Sequence, residues 1–291
     1  MDKKCEKKIR ELTEKINEAD AILVGAGSGM SAAAGYTHYY EPSAEFLEHM
    51  KPWQDKYGIN STFEGFYYPW QTPQERWAFL ARNVTMVLNE PVGQPYKDLY
   101  DLLKGKNYHI LTTNQDEQFL KIFPEDKVSA IQGDSRYLQC SKTCSDELYD
   151  AAEFYAELDK KIDENLRVPD DQIPVCPHCG AELMPWVRHP GFLEGSKFRE
   201  EYRKVQEFLA RNREKKILFL EIGVGRMTPM FIQEPFWQLT YQLPDAFYIT
   251  INPKDALVPE VLSPRALAIH AGIDEVLNDA LKLEKEEKNH D

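Results

Sequence analysis

The chain has 291 residues, 42% of them hydrophobic and 12% aromatic, enough for one large core or for a core with an inserted module. Lysine and arginine number 35 against 48 aspartates and glutamates, and the resulting net charge of −13 argues against a nucleic-acid partner, because such a surface repels phosphate backbones. The N-terminal stretch MDKKCEKKIRELTEKINEAD is charged throughout and has no apolar region of signal-peptide length, so no membrane association is expected and the reading is cytoplasmic.

The first stretch that suggests chemistry is AILVGAGSGMSAAAG, Ala21 to Gly35, an apolar run that breaks into glycines and then into small residues able to open a helix. Gly25, Ala26 and Gly27 are expected to make the turn, where unpaired backbone N–H groups and the positive end of a helix suit a pyrophosphate. Read as G-x-G-x-x-G, the stretch has Met30 where the third glycine belongs; the shifted frame Gly27, Gly29, Ala32 meets the looser G-x-G-x-x-A form. A helix-capping turn in any α/β protein gives the same pattern. Tyr36 to Trp77, rich in Tyr, Trp, Pro and Gln, is expected to form a loop and helix insertion over that turn.

Further short apolar runs follow at YHILTT (Tyr108 to Thr113), VSAI (Val128 to Ile131), ILFLEI (Ile217 to Ile222) and FYITI (Phe247 to Ile251). Two-sided runs bounded by turn residues mark buried parallel strands. Between them, Lys197 to Lys216 places Phe198, Tyr202, Val205, Phe208 and Leu209 at the three-and-four spacing of a core-facing helix. The fold class is therefore α/β, a Rossmann-like parallel sheet with helices on both faces.

Five cysteines in such a chain read as thiols or metal ligands rather than disulfides. Cys140 and Cys144 form C-x-x-x-C, and Cys176 and Cys179 form C-x-x-C within VCPHCGAEL, the pattern of a knuckle in which two thiolates reach one tetrahedral zinc ion. Four idle thiols would give the same spacing. His178 could replace a missing ligand, and Cys5 stands apart. The expected organisation is a Rossmann-like domain of residues 1–139 and 186–291, carrying the helical and aromatic insertion at about 40–90, with a small zinc-binding module at 140–185.

An open parallel sheet binds ligands beyond the carboxyl ends of its strands. Here those ends carry TTNQD (Thr112 to Asp116), IQGD (Ile131 to Asp134), EIGVGRMTP (Glu221 to Pro229) and INP (Ile251 to Pro253). In that order, and together with GSGMSAAAG, they resemble the sirtuins, with their glycine-alanine-glycine cofactor loop, T-Q-N-I-D, G-T-S segment and adenosine-side asparagine. The four cysteines fall where that family inserts its zinc module, and the resemblance runs from Ala19 to about Gly272. It implies NAD as co-substrate and a structural Zn2+ on Cys140, Cys144, Cys176 and Cys179. It also implies cofactor contacts from Gly25, Ala26, Gly27, Ser31, Tyr39, Asn114, Asp116, Gln132, Gly223, Val224, Gly225 and Asn252.

Three departures bear on activity. The family's P-D-F-R is here THYY, Thr37 to Tyr40, which keeps only an aromatic ring at Tyr39. Its H-G, which supplies the general base of deacylation, is here Gln132-Gly133; a glutamine amide cannot take a proton near neutral pH. Its mostly apolar peptide-binding loop is here LMPWVRHPGFLE, which places Arg188 and His189 beside the reaction site and favours an acidic acceptor over an acyl-lysine.

Such departures resemble the macrodomain-linked sirtuins, a microbial branch that transfers ADP-ribose to protein. The resemblance implies protein ADP-ribosylation here, with a lipoylated carrier similar to the glycine-cleavage H protein as acceptor and a macrodomain protein as functional partner. Asn114, Gln132 and Arg188 are the expected catalytic set: Asn114 to bind the ribose hydroxyls or order a water, Gln132 to orient the ribose, Arg188 to meet the acceptor. Asp116 is expected to bond the nicotinamide amide or its own loop. Asp134 and Arg136 either line the mouth or form a solvated pair. Rival readings are a deacylase using His38 or His189 as base, a NAD-sensing module without catalysis, and a flavin or nicotinamide dehydrogenase. The last lacks the acidic residue that should end a second strand about twenty positions on.

Overall fold

In the computed structural model, which describes residues 3–227 and 229–288, the chain opens with helix α1 (Lys3–Glu18), whose buried Ile9, Leu12, Thr13 and Ile16 share one face. Strand β1 (Ala21–Ala26) is buried at every position, and the six-residue helix α2 (Ser28–Ala33) follows at once. The aromatic segment forms α3 (Ala44–Tyr57), α4 (Thr62–Phe66) and α5 (Pro73–Asn89). The side chains of Ser43, Ser61 and Thr72 start these helices by accepting the backbone N–H three residues on. Next come α6 (Gln94–Leu103), β2 (Tyr108–Thr112), α7 (Gln118–Ile122), β3 (Val128–Ala130), β4 (Gly133–Cys140), β5 (Leu148–Asp150) and α8 (Ala152–Asp159). The remainder is β6 (Leu183–Val187), α9 (Ser196–Asn212), β7 (Ile217–Ile222), α10 (Gln233–Gln242), β8 (Phe247–Ile251), β9 (Ala266–Ile269) and α11 (Ile273–Lys288).

Six strands pair in the order β3-β2-β1-β7-β8-β9, all parallel. From β1 the sheet grows outward through β2 to β3, then restarts with β7 on the other side of β1. That reversal is the topological switch point, where the connections leaving adjacent strands diverge and open a crevice. Ala26 pairs with both Thr112 and Ile222, so the carboxyl ends of β1, β2 and β7 lie level at the crevice.

Alternate side chains bury opposite faces. Ile22, Val24, Ile110, Leu218, Leu220 and Ile249 pack with α1, α6 and α11; Leu23, Leu111, Phe219 and Tyr248 pack with Val205 and Phe208 of α9 and Phe236 of α10. The five apolar runs expected as strands are thus β1, β2, β3, β7 and β8, and the helix expected over 197–216 is α9.

The second core was not foreseen as a unit. Phe46, Trp53, Trp77 and Phe79 of the insertion form one cluster with Leu138, Cys140, Tyr155 and Cys176. The antiparallel strands β5-β4-β6 carry this lobe. Its sheet draws on residues from Gly133 to Val187, on both sides of the 140–185 span, and the insertion joins its core rather than that of the parallel sheet.

Candidate active site

Backbone contact at the switch point explains the glycines. Gly27 N–H donates to Ile222 O at 3.0 Å and Gly29 N–H donates to Gly223 O at 2.9 Å, so the loops after β1 and β7 touch. A Cβ on Gly29 would lie 2.7 Å from Gly223 Cα, and Gly223 itself adopts a left-handed φ of 65°. This corrects one expectation: the amides of Gly27 and Gly29 are paired across the switch point, not open to a pyrophosphate. Gly25 and Ala26 also lie inside β1 rather than in the turn. A Cβ on Gly25 would meet Ile232 and Phe236, so this glycine serves the seating of α10 against the sheet. Gly225, by contrast, has open space where a Cβ would stand.

Asn114 leaves the end of β2 and reaches back over the first turn. Its Nδ2 donates to Gly27 O at 3.0 Å and lies 3.4 Å from the Tyr96 hydroxyl, while Thr112 Oγ1 accepts its backbone N–H. The Asn114 Oδ1 has no protein partner among the described residues and is available to a ligand. Asp116 is buried, and its carboxylate ties three helices together: the Ser31 hydroxyl of α2 and the Tyr96 hydroxyl of α6 donate to Oδ2, and the Gln118 N–H of α7 donates to Oδ1. Burial raises its pKa, and the Ser31 and Tyr96 hydrogen bonds oppose that rise. The Gln118 N–H bond ties Asp116 to its own loop. Tyr96 and Gln118 carried no signal in the sequence, since each fits an ordinary amphipathic helix.

Gln132 sits between β3 and β4. Its carbonyl accepts the Arg188 N–H at 2.9 Å and the Gln115 side chain at 3.2 Å, so the three segments expected at the reaction centre do converge. The Arg188 guanidinium lies over the rings of Phe192, Phe198 and Phe231, with centroids 4.3, 5.1 and 5.9 Å away, and donates to Glu194 at 2.6 Å. An acidic acceptor at Arg188 would therefore join or displace Glu194, whose side chain is 57% exposed. His189 accepts the Gly191 N–H through Nδ1, and burial lowers its pKa ahead of the repulsion from Arg188. His38 is buried against Glu90, with Nδ1 and Oε1 3.2 Å apart. Asp134 and Arg136 do not form a solvated pair: Asp134 is buried and binds the guanidinium through both oxygens.

Over the crevice, Tyr39 packs edge-on to Tyr40 and Phe63, and the Tyr40 hydroxyl approaches Met227 Sδ at 3.9 Å, bridging the loops that follow α2 and β7. Thr228 of the quoted EIGVGRMTP segment lies outside the described residues. Beyond the end of β8, buried Asn252 donates to Val224 O and accepts the N–H groups of Lys254 and Asp255, each at 3.0 Å. It props the β8 loop against the β7 loop and keeps one amide hydrogen for a ligand.

The sulfurs of Cys140, Cys144, Cys176 and Cys179 all lie within 4.8 Å of one another; Cys140–Cys179 is 3.6 Å and Cys144–Cys176 is 3.5 Å. A tetrahedral ion with Zn–S bonds of about 2.3 Å requires sulfurs about 3.8 Å apart. Donor type, number and spacing fit zinc. His178 is not a ligand: its Nε2 pairs with Glu147 at 2.6 Å on an exposed surface.

No family model matches the chain. A protein ADP-ribosyltransferase of Staphylococcus aureus strain Mu50 is 33% identical over 294 aligned positions, covering 100% of this chain and 92% of that protein. The chain belongs to the sirtuin-fold protein ADP-ribosyltransferases. A probable bifunctional ADP-ribose hydrolase/ADP-ribosyltransferase of Fusarium oxysporum f. sp. cubense is 30% identical over 231 positions, 76% of this chain but 38% of that longer protein. Among solved structures, a Sir2 homolog with NAD superposes with a TM-score of 0.63 over 95% of this chain and 94% of that one, at 17% identity. An ADP-ribose complex of a Sir2 homologue variant gives 0.64 over 99% and 98%, also at 17%. These likenesses establish the sirtuin fold of this ADP-ribosyltransferase, whose crevice holds Asn114, Asp116 and Gln132 on adjacent strand ends.

Proposed function

We infer that this chain cleaves NAD at the nicotinamide–ribose bond and transfers ADP-ribose to an acceptor protein. The observation that supports this reading is that the segments carrying Asn114, Gln132 and Arg188 are hydrogen-bonded to one another through the Gln115 side chain and the Gln132 carbonyl, with an amide where a deacylase needs a base. As that bond breaks, positive charge develops on the ribose, and the site must hold the sugar while excluding water. Asn114, anchored through Nδ2 to Gly27 O, offers its Oδ1 to the ribose hydroxyls. The Gln132 amide orients the sugar from the opposite segment and moves no proton. Arg188 presents a cation to the incoming group; a carboxylate nucleophile needs no deprotonation, so the missing base is no obstacle. Gly223, Val224, Gly225 and Asn252 make the adenosine side, and Tyr39 covers the crevice.

The deacylase alternative needs an imidazole at the reacting ribose. His38 is buried beside Glu90, and the Nδ1 of His189 accepts the Gly191 N–H. The acceptor in this reading is a lipoylated carrier similar to the glycine-cleavage H protein, on the strength of the resemblance in the quoted segments. A macrodomain protein that removes ADP-ribose is the natural partner, since the Fusarium relative joins hydrolase and transferase in one name. Cys140, Cys144, Cys176 and Cys179 would hold a zinc ion whose chemistry is structural cross-linking of the second lobe. Such thiolates need a reducing compartment, which the cytosol provides; no described helix is long and apolar enough to cross a membrane.

The test is incubation with labelled NAD and lysates that contain or lack lipoylated proteins, alongside an acyl-lysine peptide assay. Covalent label on a protein, dependent on lipoylation, is expected, with negligible deacylation. Efficient deacylation without protein labelling would reverse the ranking of the two activities.

A further inference from the structure

Glu117 occupies a position that its residue type does not favour. It precedes α7 with φ 57° and ψ 3°, the left-handed region where glycine sits without strain and a long side chain does not. Its side chain caps nothing in α7. The carboxyl is also buried, 5% exposed, which adds a desolvation cost to the backbone cost. Two local penalties at one residue call for a return through what the side chain touches.

What it touches is Arg136, whose Nε lies 3.2 Å from Glu117 Oε2. The same guanidinium is gripped by both oxygens of Asp134, with Nη2 to Oδ2 at 2.6 Å, and the Arg136 backbone N–H donates to Asp134 Oδ1 at 2.9 Å. In sequence Glu117 stands three residues after Asn114, and Asp134 stands two residues after Gln132. This chain of contacts therefore joins the segment carrying one expected catalytic amide to the segment carrying the other, beside the weaker link from Gln115 to the Gln132 carbonyl. Burial and the neighbouring Asp134 both push the Glu117 pKa well up, against the pull of Arg136, as expected for two acids sharing one cation.

We propose that Glu117 is a positioning residue of the ADP-ribosyl transfer site, setting Gln132 against Asn114 through the Arg136–Asp134 pair. It rests on the transferase reading above and goes beyond it in naming a residue that touches neither NAD nor acceptor. A residue kept only for the fold would change stability, not the kcat of the folded protein, when replaced by glycine at this φ.

Three variants test this: Glu117→Gly, which fits the backbone; Glu117→Asn, which tolerates the left-handed region; and Arg136→Gln. Each is assayed for nicotinamide release with NAD alone and with NAD plus a lipoylated H-like carrier, and for urea unfolding. Both Glu117 variants are expected to unfold near the wild-type midpoint while kcat falls roughly ten- to a hundredfold, as misplacement of reacting groups does. The KM for NAD should stay within roughly twofold, since the adenosine side is untouched. In the double variant Glu117→Gly/Arg136→Gln the losses should not multiply, because both act through one contact. A kcat for Glu117→Gly within roughly twofold of wild type overturns the proposal, as do multiplying losses, and so does failure of both Glu117 variants to fold, which would assign the residue to the fold. Absence of nicotinamide release from the wild type under either condition would instead refute the transferase reading.

Discussion

Replacing Glu90 by glutamine should remove a defined part of the pH dependence of stability. His38 Nδ1 and Glu90 Oε1 lie 3.2 Å apart with both side chains 6% exposed. Burial lowers His38 from 6.5 to about 4, and burial raises Glu90 from 4.5 to about 8 despite the pull of Lys121 and with reinforcement from Asp116 and Glu45. Between about 4 and 8 the folded pair thus holds a single proton, whichever ring nitrogen or oxygen carries it. In the unfolded chain the two groups titrate separately, near 6.5 and 4.5, so from pH 4.5 to 6.5 folded and unfolded chains bind equally and the pair adds no slope. Above 6.5 the unfolded chain has released its proton while the folded pair keeps one until about 8. The folded state then binds more protons, and stability falls as pH rises. The window, 8 minus 6.5, spans about 1.5 units; at about 1.4 kcal/mol per unit the loss is about 2 kcal/mol. Urea unfolding of wild type and Glu90→Gln across pH 6.5 to 8 reads this directly. Asp116, Glu117, Glu201 and Glu221 are also raised carboxyls of the same sign, but they are common to both proteins and cancel in the difference. Parallel curves over that window would refute the raised titration of Glu90.

Asn114→Ala should abolish nicotinamide release with the fold intact, and wild-type turnover in that variant would remove Asn114 from the reaction. Metal analysis should find about one zinc per chain, and Cys176→Ser should unfold the second lobe, because a structural zinc contributes on the order of 10 kcal/mol to a small module; unchanged stability without metal would leave the cluster as ordinary thiols. Arg188→Ala should weaken transfer to a carboxylate acceptor by about 1.5 kcal/mol, the low end for a charge-assisted hydrogen bond because Glu194 already competes for the guanidinium, and should leave the KM for NAD unchanged. Gln132→His should recover little acyl-lysine deacylation, since Arg188 and the Thr37 to Tyr40 loop remain; a rate comparable with protein transfer would show that the histidine alone separates the two activities.

How far the molecule was legible follows from what each segment must satisfy. Strands β1, β2, β3, β7 and β8 were legible because burial on both faces leaves a continuous apolar run, a local signal. Strand β9 escaped because it is four residues long, lies at the sheet edge, buries only Leu267 and Ile269, and follows Pro264. Strand β6 escaped because Pro185 speaks against a strand; it is tolerated there because β6 is the edge of its sheet. The same division runs through the site. Asn114 and Gln132 follow the ends of β2 and β3, where an open sheet places its ligand, but what singles them out as expected site residues is the sirtuin resemblance of their segments.

What holds those residues was not legible, because it is decided by partners remote in the chain. Ser31 and Tyr96 converge on Asp116 from 85 and 20 residues away, and His38 finds Glu90 at the end of α5. The glycine turn shows the limit most sharply: its pattern suits a cradle of open amides, yet Gly27 and Gly29 give their N–H groups to the carbonyls of Ile222 and Gly223. Both uses need glycine for the same reason, a backbone that another group can approach closely. A sequence reports that need without naming the visitor. At this switch point the visitor is the β7 loop itself, so the two halves of the sheet are locked together at the level where Asn114 reaches Gly27, and the rigidity required of a transfer site comes from the fold's own closure there.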